Sequence, residues 1–255
     1  MDTLNQQVLP QIRVNAVGLK LACSSCSLRE LCLPIGLEGP DMDRLDGMVN
    51  KRRPVQRGEH AFRVGAPFQF LYAIRRGFFK TYELQEDGQE HITGFHMTGE
   101  IMGMDAISTD HNSCNAVALE DSELCEIPFQ QLETLCREIP ALQHQFHKLM
   151  SREIIRDHGV IMLLGGMCAE ERLAAFLLNL SRRYAARGYS ATEFNLRMTR
   201  AEIGHYLGMK LETVSRTLTK FQEQDLIVVN NRSVKLNDTA RLRQLIGREE
   251  CARQV

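Results

Sequence analysis

From Pro54 to Phe129 the apolar residues come in short runs separated by glycine and charged turns, and Phe68–Ile74, Phe78–Leu84, His91–Phe95 and Val117–Pro128 each read as strands. The breaks Arg75-Arg76-Gly77 and Glu86-Asp87-Gly88 are turn signals at short spacing. They predict antiparallel hairpins that close into a jelly roll or barrel. The period then changes to a helical one, which runs from Phe129 to about Met167 with a break at Pro140. Two stripes follow that helix. Leu142, Phe146, Leu149, Val160 and Leu163 form one, and Met150, Ile154, Asp157, Ile161 and Leu164 step by four and three as a coiled-coil seam does.

A helix with two apolar stripes has two partners to pack against. For a generic helix both stripes are expected to be intramolecular core, but Asp157 shifts that expectation, because a carboxylate in the middle of an apolar seam is costly to bury. In a parallel homodimer the two copies of Asp157 meet across the axis and repel, which makes dimerisation marginal.

The remaining chain is punctuated more clearly. Residues 1–22 are polar without a period, and Asp41 is positioned to cap a short helix over Met42–Asn50 with Leu45, Met48 and Val49 inward. Residues 170–188 form an amphipathic helix with Leu173, Ala174, Phe176, Leu177 and Leu180 inside and Arg182, Arg183 and Arg187 outside, ended by Gly188. A strand over Glu193–Met198 precedes Thr199-Arg-Ala-Glu202, a capping box that opens a helix over Arg200–Leu207. Gly208 makes the turn, Leu211–Gln224 forms a second helix, and Ile227–Val229 with Ser233–Leu236 makes a hairpin about Asn230-Asn231-Arg232. Together they predict a helix-turn-helix with a wing.

The fold class expected is α+β. An N-terminal antiparallel β-roll, jelly-roll or cupin-like, is followed by a long helix and a C-terminal winged helix-turn-helix. The divisions fall at 1–50 for a cysteine-rich segment, 51–135 for the roll, 136–168 for the dimerisation helix and 169–255 for the DNA-binding domain.

Composition adds three things. The 255 residues are 44% apolar, enough for a proper core, and no run approaches the roughly 20 apolar residues that cross a bilayer. With no secretory signal pattern, the expected location is the cytoplasm. The net charge of −1 conceals 15 Lys+Arg against 10 Asp+Glu over residues 169–255, a basic balance that suits nucleic acid. In a reducing compartment the eight cysteines are poor candidates for a disulfide framework.

On the second helix of the helix-turn-helix, Leu211, Val214, Leu218 and Phe221 share the packing face, leaving Glu212, Ser215, Arg216 and Lys220 outward, where base edges of the major groove are met. Arg216 matches guanine O6 and N7, Glu212 accepts from a cytosine amino group, and Ser215 contacts a neighbouring base. Lys220 and the outer arginines suit phosphates.

Cys23, Cys26 and Cys32 stand at C-x2-C-x5-C spacing, and Cys114, Cys125, Cys136, Cys168 and Cys251 are single. Zinc sites usually draw on two close pairs, and no second pair exists, so a three-plus-one set favours an iron–sulfur cluster while zinc stays open. Spacing does not select the fourth ligand.

The C-x2-C-x5-C run, Cys125-Glu-Ile-Pro-Phe, Ala169-Glu-Glu-Arg-Leu-Ala-Ala-Phe176, Met198-Thr-Arg and Glu212-Thr-Val-Ser-Arg216 resemble the FNR (fumarate and nitrate reduction regulator) branch of the cyclic-AMP-receptor superfamily, over nearly the whole chain. The resemblance implies a [4Fe–4S] cluster held by Cys23, Cys26, Cys32 and Cys125, with Cys114 left over. It implies a homodimer along the long helix, opposed at Asp157, that reads TTGAT half-sites in double-stranded DNA and contacts RNA polymerase partly through Leu84–Gln89. It further implies that oxygen converts the cluster to [2Fe–2S] and that the dimer then dissociates. Cyclic-nucleotide-binding relatives carry an Arg-Ser or Arg-Thr pair where this chain has Ser113-Cys114, so no cyclic nucleotide is expected. Leu211 stands where the cyclic-AMP receptor has a DNA-contacting arginine. The protein is expected to regulate transcription in response to oxygen, and not to be an enzyme. Competing readings are a regulator of the same fold that answers a small ligand in the roll with zinc or no metal, and an iron–sulfur electron carrier or enzyme.

Overall fold

The computed structural model describes residues 23–49 and 52–246. The polar leader 1–22, the helix end expected at Asn50, and Cys251 lie outside them.

After the cysteine segment, α1 (Gly39–Met48) starts without a side-chain cap. Asp41 sits inside its first turn, correcting the expected cap: Pro40 pre-sets the helical φ and starts the helix earlier. Eight strands follow: β1 (Arg52–Val55), β2 (His60–Phe62), β3 (Phe70–Arg76), β4 (Phe78–Leu84), β5 (Glu90–Met97), β6 (Ile101–Met102), β7 (Asn115–Ala118) and β8 (Ser122–Pro128). They make two antiparallel four-stranded sheets, ordered β1-β8-β3-β6 and β2-β7-β4-β5. Val117–Pro128 is therefore two strands in different sheets, divided at Leu119–Asp121. Glu86-Asp87-Gly88 closes the β4–β5 hairpin as expected, whereas Arg75-Arg76-Gly77 turns the corner from one sheet to the other.

Both faces of each sheet are covered. Between the sheets lie Val55, Phe62, Tyr72, Ile74, Phe79, Met102 and Leu124. The outer face of the first sheet carries Leu71, Ala73 and Ile127 against Leu33, Leu37, Leu45, Leu132, Leu142 and Phe146. The outer face of the second carries Phe78, Tyr82, Ile92, Phe95 and Met97, which share one core with the C-terminal domain. Strands buried on both faces lose polar alternation, which is why these read as apolar runs.

The helical region is α2 (Phe129–Glu138) and α3 (Pro140–Gly166), divided where Pro140 opens the second helix. The C-terminal domain comprises α4 (Ala169–Ala185), β9 (Glu193–Asn195), α5 (Arg200–Leu207), α6 (Leu211–Glu223), β10 (Ile227–Asn230), β11 (Ser233–Leu236) and α7 (Thr239–Leu245). The capping box forms, with Thr199 accepting from the Glu202 amide and Glu202 from the Thr199 amide. Gly208 ends α5 at φ +62°, a left-handed turn that favours glycine. The wing is β10-β11-β9, and α7 was not anticipated. Among the described residues no helix is long and apolar enough to cross a membrane.

Candidate functional site

The first site begins with a loop that has little regular structure. Cys26 and Arg29 amides donate to the Cys23 and Cys26 carbonyls at 3.1 and 3.2 Å, folding the segment into consecutive turns. Asp46 on α1 fixes its start: its carboxylate accepts from the Cys23 amide, from the Ser24 amide at 3.2 Å and from the Ser24 hydroxyl at 2.7 Å. Gln145 on α3, itself buried, donates to the Cys32 carbonyl at 3.5 Å and fixes its end. Neither anchor was singled out from the sequence. A polar side chain amid apolar helix positions was the available signal for Gln145.

Cys23, Cys26 and Cys32 line a single small cavity of about 40 Å³ together with Cys125 on β8, Leu33, Val49, Ile74 and Gly99. Strand β8 pairs Cys125 with Arg52 on one side and Ala73 on the other, setting it in the sheet face that α1 and the loop cover. Burial pushes the thiols of Cys23 and Cys32 up to about 12, and the neighbouring thiolates add to the rise. Cys125 is raised too, by burial and then by Cys26. A low-dielectric nest in which Cys23, Cys32 and Cys125 are hard to ionise is one that a soft cation stabilises. Among the described residues no three His, Cys, Asp or Glu side chains converge in a geometry that holds a single metal ion. Four sulfur donors in an apolar pocket are the kind of donor set that soft, thiolate-held metal centres use.

Cys114 faces elsewhere. It is buried, its Sγ 3.5 Å from Asp105 Oδ2, beside a cavity of about 410 Å³ between the roll and α3. Burial and Asp105 raise its thiol well above the ordinary value. The cavity is lined by the carboxylates of Glu83, Asp105, Glu153 and Asp157, with Ser113 at its side. Its Arg156 is engaged by Glu153 and by His96 at 3.4 Å. Burial, with Arg156 beside it, lowers the His96 ring well below its usual range.

On α3, Leu142, Phe146 and Leu149 are buried, while Val160 and Leu163 are half-buried. The second stripe is open in its middle: Ile154 and Ile161 are 55% and 66% exposed, Met150 and Leu164 at its ends are half-buried, and Asp157 is exposed among them, 4.0 Å from Arg156. Large apolar side chains left bare along one helix face mark an interaction surface.

On α6, Glu212, Arg216 and Lys220 are exposed and Ser215 is half-buried, accepting from Arg200 at 3.3 Å. Lys220 bonds Glu170 of α4. Val214, Leu218 and Phe221 pack inward, but Leu211 is exposed and Thr217 takes the buried place, because Leu211 opens the helix before the first inward-facing turn. Arg183 and Arg187 are not on an outer face either. They close on Glu100 of the roll, which the sequence could not pair with them. The Leu84–Gln89 tip is exposed.

Residues 171–245 match the model of the Crp-like helix-turn-helix domain and residues 52–138 that of the cyclic nucleotide-binding domain. The chain is 48% identical over 229 residues to the transcriptional regulatory protein btr of Bordetella pertussis, covering 90% of this chain and 95% of that one. It is 44% identical over 235 residues to the fumarate and nitrate reduction regulatory protein of Escherichia coli, covering 92% and 94%. Among solved structures, FixK2 from Bradyrhizobium japonicum superposes with a TM-score of 0.72 at 27% identity, over 78% of this chain and 98% of that one.

Proposed function

Because the chain belongs to the fumarate-and-nitrate-reduction branch of the cyclic-AMP-receptor superfamily, whose members are DNA-binding transcription regulators and not enzymes, we propose that it is the oxygen-responsive kind. The observation that carries this reading is the convergence of Cys23, Cys26, Cys32 and Cys125, from a loop and a distant strand, on one apolar cavity. The group that suits this donor set is a [4Fe–4S] cluster, whose chemistry when bound is conversion by oxygen to [2Fe–2S].

The chain's own residues account for the rest. Ligation ties the loop to β8 and so sets the packing of α1, α2 and the start of α3, which share that core. Met150, Ile154 and Ile161 then meet their counterparts on a second copy, while the paired Asp157 carboxylates keep the association weak enough to lose. In the dimer, Glu212, Ser215 and Arg216 read TTGAT half-sites, and Lys220 exchanges Glu170 for a DNA phosphate. The exposed Leu84–Gln89 hairpin suits a contact with RNA polymerase. The working compartment is the cytoplasm, and the divisions at 1–50, 51–135, 136–168 and 169–255 are cluster segment, roll, dimer helix and DNA-binding domain. A cyclic nucleotide is disfavoured, because the roll cavity presents four carboxylates and an already engaged Arg156.

Anaerobic purification tests this directly. About four irons and four sulfides per chain, lost in air together with the dimer and with DNA binding, is the expected result. A colourless protein with one zinc per chain sinks it.

A further inference from the structure

The turn Gly99-Glu100, between β5 and β6, touches two things that lie far apart in sequence. On one side is the cysteine loop. Gly99 lines the cavity shared by the four cysteines, at φ +86°, and a Cβ placed on it stands 3.1 Å from Leu31 Cβ and 3.2 Å from Leu31 Cδ1. Leu31, the residue immediately before Cys32, therefore packs against the Gly99 backbone, and a side chain at 99 presses on it by a few tenths of an ångström.

On the other side is the DNA-binding domain. Glu100 Oε1 accepts from Arg183 Nε at 3.0 Å and from Arg187 Nη2 at 2.6 Å, and Oε2 accepts from Arg183 Nη2 at 2.6 Å. Arg183 also donates to the Phe95 carbonyl at 2.7 Å, and Arg187 to the Thr98 carbonyl. Both arginines belong to the C-terminal end of α4 or the turn after it. The turn itself is stiff: the Gly99 amide bonds the Ile74 carbonyl at 2.7 Å, the Ile74 amide bonds the Glu100 carbonyl at 2.8 Å, and Glu100 Oε2 accepts from the Met97 amide at 3.1 Å. Ile74 lines the cysteine cavity as well.

Resting on the cluster reading above, we infer that Glu100 is a positioning residue for DNA binding: the Gly99-Glu100 turn relays the state of the cysteine loop to α4 within a single protomer, beside the route through the dimer helix. When the loop is held, Leu31 braces Gly99, and Glu100 holds Arg183 and Arg187 so that α4 docks in one orientation on the roll. When the loop is released, the brace is gone and the docking loosens. Because this coupling runs inside one chain, it persists when dimerisation is no longer limiting.

The experiment uses the full-length Asp157→Ala chain, prepared anaerobically with and without its cluster, alone and combined with Glu100→Gln or with Leu31→Ala. Leu31 is only half-buried, so its truncation keeps the question answerable should the Glu100 variant misfold. Iron content and sedimentation are measured first, then affinity for a TTGAT palindrome and amide hydrogen exchange over Arg183–Tyr189. The Asp157→Ala parent is expected to bind DNA about 5-fold or more tightly when loaded, with slower exchange at the end of α4, and both double variants are expected to bring the two preparations together. The exchange comparison needs no dimer and decides the matter even where sedimentation shows monomer. Loaded, iron-containing double variants that keep the parent's ratio and exchange difference overturn the relay while leaving the cluster reading intact. A parent that takes up no iron overturns both.

Discussion

Cys114 and Cys125 are equally isolated by spacing; the resemblance singles out Cys125, and the fold places it at the thiol nest under the loop while Cys114 faces the acidic cavity beside α3. Cys125→Ser is therefore expected to abolish iron uptake, while Cys114→Ser leaves it unchanged; anaerobic iron and sulfide analysis of the two variants checks this, and the opposite pattern reassigns the ligand. At the DNA end, Arg216→Ala is expected to cost ~1–3 kcal/mol of binding and to relax selectivity at one guanine, whereas Lys220→Ala weakens all sequences alike and flattens the salt dependence by about one ion. Titrations against matched and mismatched sites at several salt concentrations distinguish them. Arg216 was legible because a recognition helix exposes a predictable face. Arg183 and Arg187 were not, because arginines on the polar side of an amphipathic helix look the same whether they meet water or a buried carboxylate.

Among the elements, those with a local cause were the most legible. Helix α5 starts at a capping box and stops at a left-handed glycine, both written in a few consecutive residues. Thr199→Ala removes the cap and is expected to cost ~1 kcal/mol in thermal or denaturant unfolding. Strands were harder. Leu119-Glu120-Asp121 carries no glycine or proline, so β7 and β8 merged into one run, and the two-residue β6 offered no pattern at all. The seam of α3 was readable as a period, but which stripe stays open depends on what covers the other. With Ile154 and Ile161 bare and Asp157 between them, Asp157→Ala is expected to sediment as a dimer in air and to bind DNA there. An aerobic monomer counts against the seam.

At the scale of the whole molecule, the C-terminal domain sits on the roll through both charge and apolar contact. Lys80 of β4 bonds Glu90 and, at 3.0 Å, Glu202 of α5, and Phe95 meets Phe176 and Tyr206 with ring centroids 6.2 and 5.1 Å away. Burial alone would raise the Glu100 carboxyl, yet Arg183 and Arg187 outweigh it and hold it at about 2. Its folded value is below its unfolded one, so it adds stability above about 4.5 that is lost as pH falls toward 2. Glu100→Gln is thus expected to cost about 3 kcal/mol at pH 7 and progressively less below pH 4.5, as shown by denaturant melts across that range. None of this docking was legible, since its partners lie in separate domains and no local pattern pairs them. It also bears on how the chain is made. The roll is complete once Pro128 has been synthesised, but the outer face formed by Phe78, Tyr82, Ile92, Phe95 and Met97 belongs to a core whose other half comes last. Throughout translation of α4 to α7, the nascent roll carries an oily flank with nothing to cover it, and that interval is when the protein is most exposed to aggregation and most in need of a chaperone.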